Sequence, residues 1–316
     1  MKTIFLNSDS RVRICWRLIS FIVITFVINI PFQLLTQSLM DEGLARGYCS
    51  GAFFLASVLI GLYIQSRFFE KSSFNHYGLS PTIGWLGEFA FGCLIAAVQL
   101  ILFFSLMMVT GNIEVTNYFV TSADNFSFLA GFASEAFGQL VGSTAEEVFF
   151  RAFLFYLAFE ALKPAIENLR NRALIACIII SPLFGLAHAF NEGATILTTI
   201  NLTIDAMMLS AAFLVTGRLG MAIGIHFAWN LMQGAVLGLG NSGTLSKVSI
   251  IQTSMPDNLL TGGAFGPEGS ILLVVLDIIA LIMILSWKMY HKGELVHNEV
   301  LSGHESTEKN LAFVVK

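Results

Sequence analysis

Eight apolar runs of about 20 residues constrain this chain more than any other feature, because that length carries a helix across the hydrocarbon core of a bilayer. They fall at roughly 15–38, 48–66, 83–110, 129–160, 173–190, 195–217, 219–240 and 269–290. Backbone groups at that depth find no water, so each run has to close its hydrogen bonds within itself as helix. The fold expected is all-α: a polytopic membrane protein of about eight transmembrane helices. Of the 316 residues, 55% are hydrophobic and 12% charged, with mean hydropathy +0.75. A soluble domain carries about twice that charged share. The lipid bilayer is thus one expected partner, and nucleic acid is not expected among the others.

Cytoplasmic connections collect lysine and arginine. With eight spans, Lys2, Arg11, Arg13 and Arg17 fall on the same side as Arg67, Lys71, Lys163, Arg170, Arg172, Arg218, Lys288, Lys292, Lys309 and Lys316, which is 14 of the 17 basic residues. Arg46 and Lys247 fall on the other side, and Arg151 lies within a span. Both termini are therefore expected to be cytoplasmic. The basic start resembles a signal peptide but runs on too long and lacks a small-x-small cleavage site, so it reads as the first span. Residues 1–128 then hold three helices, 129–240 a core of four, 241–292 an outer loop and the eighth helix, and 293–316 a polar cytoplasmic tail. The connections 111–127 and 241–268 read as loops with no fold of their own. Cys15, Cys49, Cys93 and Cys177 stand singly, without disulfide or metal spacing, and read as packing residues.

Within the fourth run, TAEEVFFRAF at 144–153 holds three charges. Each costs about 2.5–3.5 kcal/mol near the bilayer centre. Glu147 and Arg151, four apart, share a helix face and can pair. Glu146 lies about 100° round the helix and is left over. In later runs Phe184 and His188, and then His226 and Asn230, repeat the four-residue spacing. A lone membrane histidine usually bonds a neighbouring helix, yet Glu, His, His and Asn on three spans are most cheaply gathered around one wet cavity. There a poorly solvated carboxylate can accept a proton from water, and a His and Asn pair can bond an oxyanion. Those are parts of a hydrolase.

The ordered triple Glu146-Glu147-x-x-x-Arg151, Phe184-x-x-x-His188 and His226-x-x-x-Asn230 resembles the CPBP family, which comprises the CAAX proteases and the Abi-like bacteriocin-processing or immunity proteins. The likeness spans about 129–240. It implies an intramembrane endopeptidase acting on a membrane-associated peptide or protein, in a bacterial plasma membrane. By that resemblance Glu146 and His188 would activate water, His226 and Asn230 would stabilise the oxyanion, Glu147 would be held by Arg151, and Phe184 would pack near His188. Members are usually called metalloproteases. Glu146, His188 and His226 are the candidate ligands of a zinc ion, with a metal-free glutamate mechanism equally open.

Two other readings remain. Acidic residues and histidines in spans also form proton relays in transporters, though no inverted repeat is evident. An immunity factor could bind without cutting. Counting 1.5 Å per residue puts His226 about 12 Å past Arg218, but His188 about 24 Å past Arg172 and Glu146 about 25 Å from Lys163. Tilt, a shorter helix or a cytoplasmic helix extension could reconcile those depths. Glu88 and Glu135 are expected near span ends. Asp205 and Asp277 lie deeper, and Asp205, with Asn201 one turn before it, could line the cavity or bond a neighbouring helix.

Overall fold

The computed structural model describes residues 2–6, 12–41, 43–70, 74–79, 81–121, 127–291 and 296. The expected polar tail at 293–316, Val296 aside, lies outside the described residues. The helices are α1 (Lys2–Phe5), α2 (Ile14–Leu39), α3 (Leu44–Ile64), α4 (Ile83–Val109), α5 (Phe128–Glu147), α6 (Phe155–Ala161), α7 (Leu169–Ala187), α8 (Ile196–Thr216), α9 (Gly220–Leu231) and α10 (Leu273–Tyr290). A π-helical segment, Val148–Leu154, joins α5 and α6 into one rod. The apolar runs thus become helices where expected. Among the described residues, six are long and apolar enough to cross a membrane: α2, α3 with its π-helical continuation, α4, α7, α8 and α10. The α5–α6 rod and the short α9, which carry Glu146, Glu147, Arg151, His226 and Asn230, are not among the six.

Polar residues just outside the apolar runs set the helix starts. Thr82 Oγ1 accepts from the Trp85 N–H at 3.3 Å, and Asn168 Oδ1 accepts from the Asn171 N–H at 2.9 Å. Thr195 and Thr198 cap α8 reciprocally. Gly217, at φ +69°, ends α8 in the left-handed conformation that glycine adopts without strain.

Helices in lipid associate by close packing, with no hydrophobic drive between them. The α4–α9 contact illustrates this. Gly220 and Gly224 lay α9 directly on the α4 backbone: a Cβ at Gly220 would come within 2.6 Å of Trp85 O, and one at Gly224 would run into Phe89 O. In this way α4 fixes the height and rotation of α9, the helix that carries His226.

The basic connections gather at one end of the bundle. There Arg17 Nη2 pairs with Glu160 Oε1 at 2.6 Å, Arg218 Nε donates to Glu88 Oε2 at 3.0 Å, and the Arg172 guanidinium lies 5.1 Å from the Phe159 ring centroid. Glu88 is near its helix start as expected, but it is buried in that ion pair. Glu135 accepts from the Lys247 N–H at 3.2 Å, towards the opposite end.

At that opposite end the two connections read as loops form an antiparallel sheet, β1 (Glu114–Thr121) with β2 (Val248–Ser254). Glu114 faces Ser254 and Thr121 faces Val248, with an irregularity between Val115 and Asn117. Both strands are rich in β-branched and aromatic residues, the composition that suits a pleated surface. The pairing is non-local, so neither segment announced it alone. Of the four cysteines, all free, only Cys177 is buried, and Cys15 is exposed rather than packed.

Candidate active site

The four predicted chemical groups converge. Glu146 and Glu147 end α5, His188 caps α7, and His226 lies midway along α9, with Asn230 one turn later. Glu146 Oε2 stands 3.9 Å from His188 Nε2 and 3.8 Å from His226 Nε2. Glu147, wholly buried, takes two partners on Oε1: Arg151 Nη1 at 3.0 Å and His226 Nδ1 at 2.9 Å. Arg151 also donates to Ala206 O at 3.3 Å, and its guanidinium lies 4.6 Å from the Phe184 ring centroid. A guanidinium desolvated over an aromatic face gains from the ring quadrupole. The π-helical turn that begins at Val148 places Arg151; such turns recur where a helix carries a functional group.

Both histidines are oriented by what their Nδ1 atoms meet. His188 Nδ1 is 2.9 Å from Phe184 O, and a carbonyl can only accept, so that nitrogen carries the proton. His226 Nδ1 likewise donates to the Glu147 carboxylate. Each Nε2 is thereby left facing Glu146. Phe184 packs against both imidazoles, with centroids at 4.7 and 5.9 Å.

Glu146, Phe184, His188 and His226 line a cavity of about 230 Å³ together with Asn230. Asp205 lines it too, which settles the choice left open for that residue, whereas Asn201 bonds Glu268 O and Ser270 O. Asp277 is buried elsewhere, 3.4 Å from Gln99 Nε2. On its other side Glu146 borders an apolar groove of about 360 Å³ walled by Phe21, Phe26, Phe54 and Phe149.

The conflict in depth has a structural reason. Phe155 and Tyr156 of the fourth rod pack on Phe213, one turn before the α8–α9 connection, and Arg172 packs on Phe159. The fourth rod and α7 therefore run on past that connection, which lies deeper. A count from Arg218 comes out short, while counts from Lys163 and Arg172 agree with each other.

Sequence reading missed the roof of the cavity: Asn191, Asn241, Ser242 and Glu268. Glu268 is 4% exposed; its Oε2 accepts from Ser242 Oγ at 2.7 Å and Ser242 N at 2.9 Å, and its Oε1 from Trp229 Nε1 at 3.3 Å. Burial pushes its carboxyl above the ordinary range, against the opposing pull of the Ser242 hydroxyl and of His188. A lone acid in the glycine-rich GAFGPEGS was the available signal.

A carboxylate and two imidazoles are donors that zinc accepts, and a tetrahedral zinc with bonds near 2.1 Å holds its donors about 3.4 Å apart. Glu146 Oε2 is farther than that from both imidazoles. Among the described residues no group of three or more His, Cys, Asp or Glu is placed to hold a metal. The donor types suit zinc, and Glu146 Oε2 as placed stands about half an ångström wider than such a shell.

Residues 128–232, about a third of the chain, match the family model described as type II CAAX prenyl endopeptidase Rce1-like. Over that segment the chain is similar to this family. The matched segment contains all six predicted site residues but stops short of Ser242 and Glu268. No curated protein and no solved structure matches the chain. With six helices among the described residues long and apolar enough to cross a bilayer, the chain is an integral membrane protein, and its segment 128–232 is similar to an intramembrane endopeptidase family.

Proposed function

We propose that this protein hydrolyses a peptide bond of a membrane-associated protein or peptide, with Glu146 as general base. The observation that carries this reading is the convergence of Glu146 Oε2 on the Nε2 atoms of His188 and His226 at 3.9 and 3.8 Å. A water about 2.8 Å from each of two acceptors fits a gap of that size. It would donate a hydrogen bond to His188 Nε2 and lose its other proton to Glu146 as its oxygen attacks the carbonyl carbon. The oxyanion that forms takes hydrogen bonds from Asn230 and from His226, which carries a proton on Nε2 as well as Nδ1. In that state the charges of Glu146 and Glu147 are offset by those of Arg151 and His226. Glu146 then passes its proton to the leaving nitrogen as the C–N bond breaks. The apolar groove beside Glu146 offers the flank of a lipid-embedded substrate a path from the bilayer to the water site.

New peptide ends test this directly. Membranes containing the wild-type chain should yield ends that are missing from membranes with an equal amount of the His188→Ala, Asn230→Ala double variant, and chelator treatment should leave those ends unchanged. Ends lost on chelation and restored by zinc would assign Glu146, His188 and His226 to a metal shell instead. Identical ends in both membranes would sink the peptidase reading and leave protective binding or proton-coupled transport. The sequences of the ends also show whether the substrate carries a CAAX box.

The end of the bundle where Arg17, Arg172 and Arg218 gather is the cytoplasmic one in this proposal, by the excess of basic residues in its connections. A membrane-impermeant thiol reagent added to intact cells should label a cysteine placed at the exposed Leu245 and spare one placed at Lys163. The reverse pattern would invert the orientation.

A further inference from the structure

Glu268 lies 38 residues beyond Asn230 and outside the matched segment, yet it reaches both sides of the site. One arm runs through Ser242, whose N–H and hydroxyl both donate to Glu268 Oε2, at 2.9 and 2.7 Å. Ser242 O in turn accepts from Asn191 Nδ2 at 3.0 Å, and the Asn191 N–H donates to His188 O at 3.1 Å. The other arm is the bond from Trp229 Nε1 to Glu268 Oε1 at 3.3 Å, on the residue next to Asn230. Asn241, beside Ser242, closes the loop by donating to Asn230 O at 3.5 Å. The backbone of Glu268 is itself held, because its carbonyl accepts from Asn201 Nδ2 of α8 at 2.9 Å. The carboxylate is thus a single fixed point to which the helix end bearing His188 and the helix turn bearing Asn230 are both tied. Its own cost of burial is met by three donors, an outlay that a mere loop closure would not need.

We infer that Glu268 is a positioning residue for the hydrolytic site, setting the distance between His188 and Asn230 across the cavity. The inference rests on the peptidase reading for its consequence, though not for its geometry. A water held by His188 and an oxyanion held by Asn230 belong to one reaction coordinate, so the separation of those two groups acts on turnover rather than on substrate capture. Misplacement of a catalytic group by about 1 Å costs on the order of 10²-fold in rate. Glu268→Ala, which releases both arms, should therefore lower kcat about 100-fold. Glu268→Gln keeps an acceptor for Ser242 and loses the one for Trp229; the expected loss is about tenfold.

The experiment uses the full chain in nanodiscs and a synthetic peptide spanning a mapped cleavage position, with rates expressed per monodisperse folded molecule. Expected is a fall in kcat at unchanged KM in both variants, larger for alanine. In parallel, the chain labelled with 15N-histidine reports the ring nitrogens directly. Glu268→Gln should shift the His188 signals while those of His226, held by Glu147, stay in place. Activity lost only in proportion to folded protein, with the His188 signals unmoved, would overturn the inference and leave Glu268 a loop anchor. Should the wild type fail to cut the peptide, the peptidase reading fails, and the histidine spectra alone decide whether Glu268 sets His188.

Discussion

Replacing Glu146 by glutamine is expected to lower peptide cleavage by about 10³-fold, within the 10²–10⁴ that general-base catalysis supplies, while the protein stays folded. The two halves of that statement come from the same geometry. The Glu146 side chain is 40% exposed, and its Oε2, itself buried, has no hydrogen-bond partner among the described residues. Glutamine keeps the volume, and no bond inside the protein is lost, so unfolding should begin at the wild-type temperature. What glutamine cannot do is take a proton from water. Cleavage of a peptide spanning the mapped site, followed beside the thermal midpoint in detergent, checks both halves. A variant that cut within tenfold of wild type would remove Glu146 from the mechanism.

Arg151→Leu should have the opposite profile, with a large loss of stability. Glu147 is 0% exposed and shares one oxygen between Arg151 and His226. Removing the guanidinium leaves that carboxylate with only the imidazole, and breaking one side of a buried pair costs about 3–5 kcal/mol. The expected readout is a sharp fall in the unfolding midpoint and in the monodisperse fraction after extraction. Neutralising both partners, Glu147→Gln with Arg151→Met, should recover much of the stability, because well-packed neutral residues replace a buried pair at little cost. Catalysis should not return with it, since His226 then lacks the carboxylate that orients its Nδ1. An Arg151→Leu protein as stable as wild type would show that the pair is not what holds this part of the helix.

The legible part of the molecule was the part written locally. Helix positions followed from run length, and the Glu147–Arg151 pair followed from a four-residue spacing that survives even in the π-helical turn. The ordered motifs also led to the convergence of Glu146, His188 and His226. What stayed hidden was non-local. Glu268 meets Trp229 and Ser242 only once the connection 241–268 folds back over the cavity, and the strands at 114–121 and 248–254 find each other across the intervening helices α5 to α9. Helix depth was hidden for a related reason: the count from Arg218 assumed that every basic residue marks the same plane, whereas the turn holding Arg218 is recessed beside the longer α6 and α7 ends.

The glycine contact between α4 and α9 limits how far the matched segment can be treated as a portable module. Residues 128–232 carry the reactive groups, but the surface against which Gly220 and Gly224 seat α9 is the backbone of Trp85 and Phe89, contributed from outside that segment. Grafted onto another scaffold without α4, the same motifs would lose the stop that sets His226 level with Glu147.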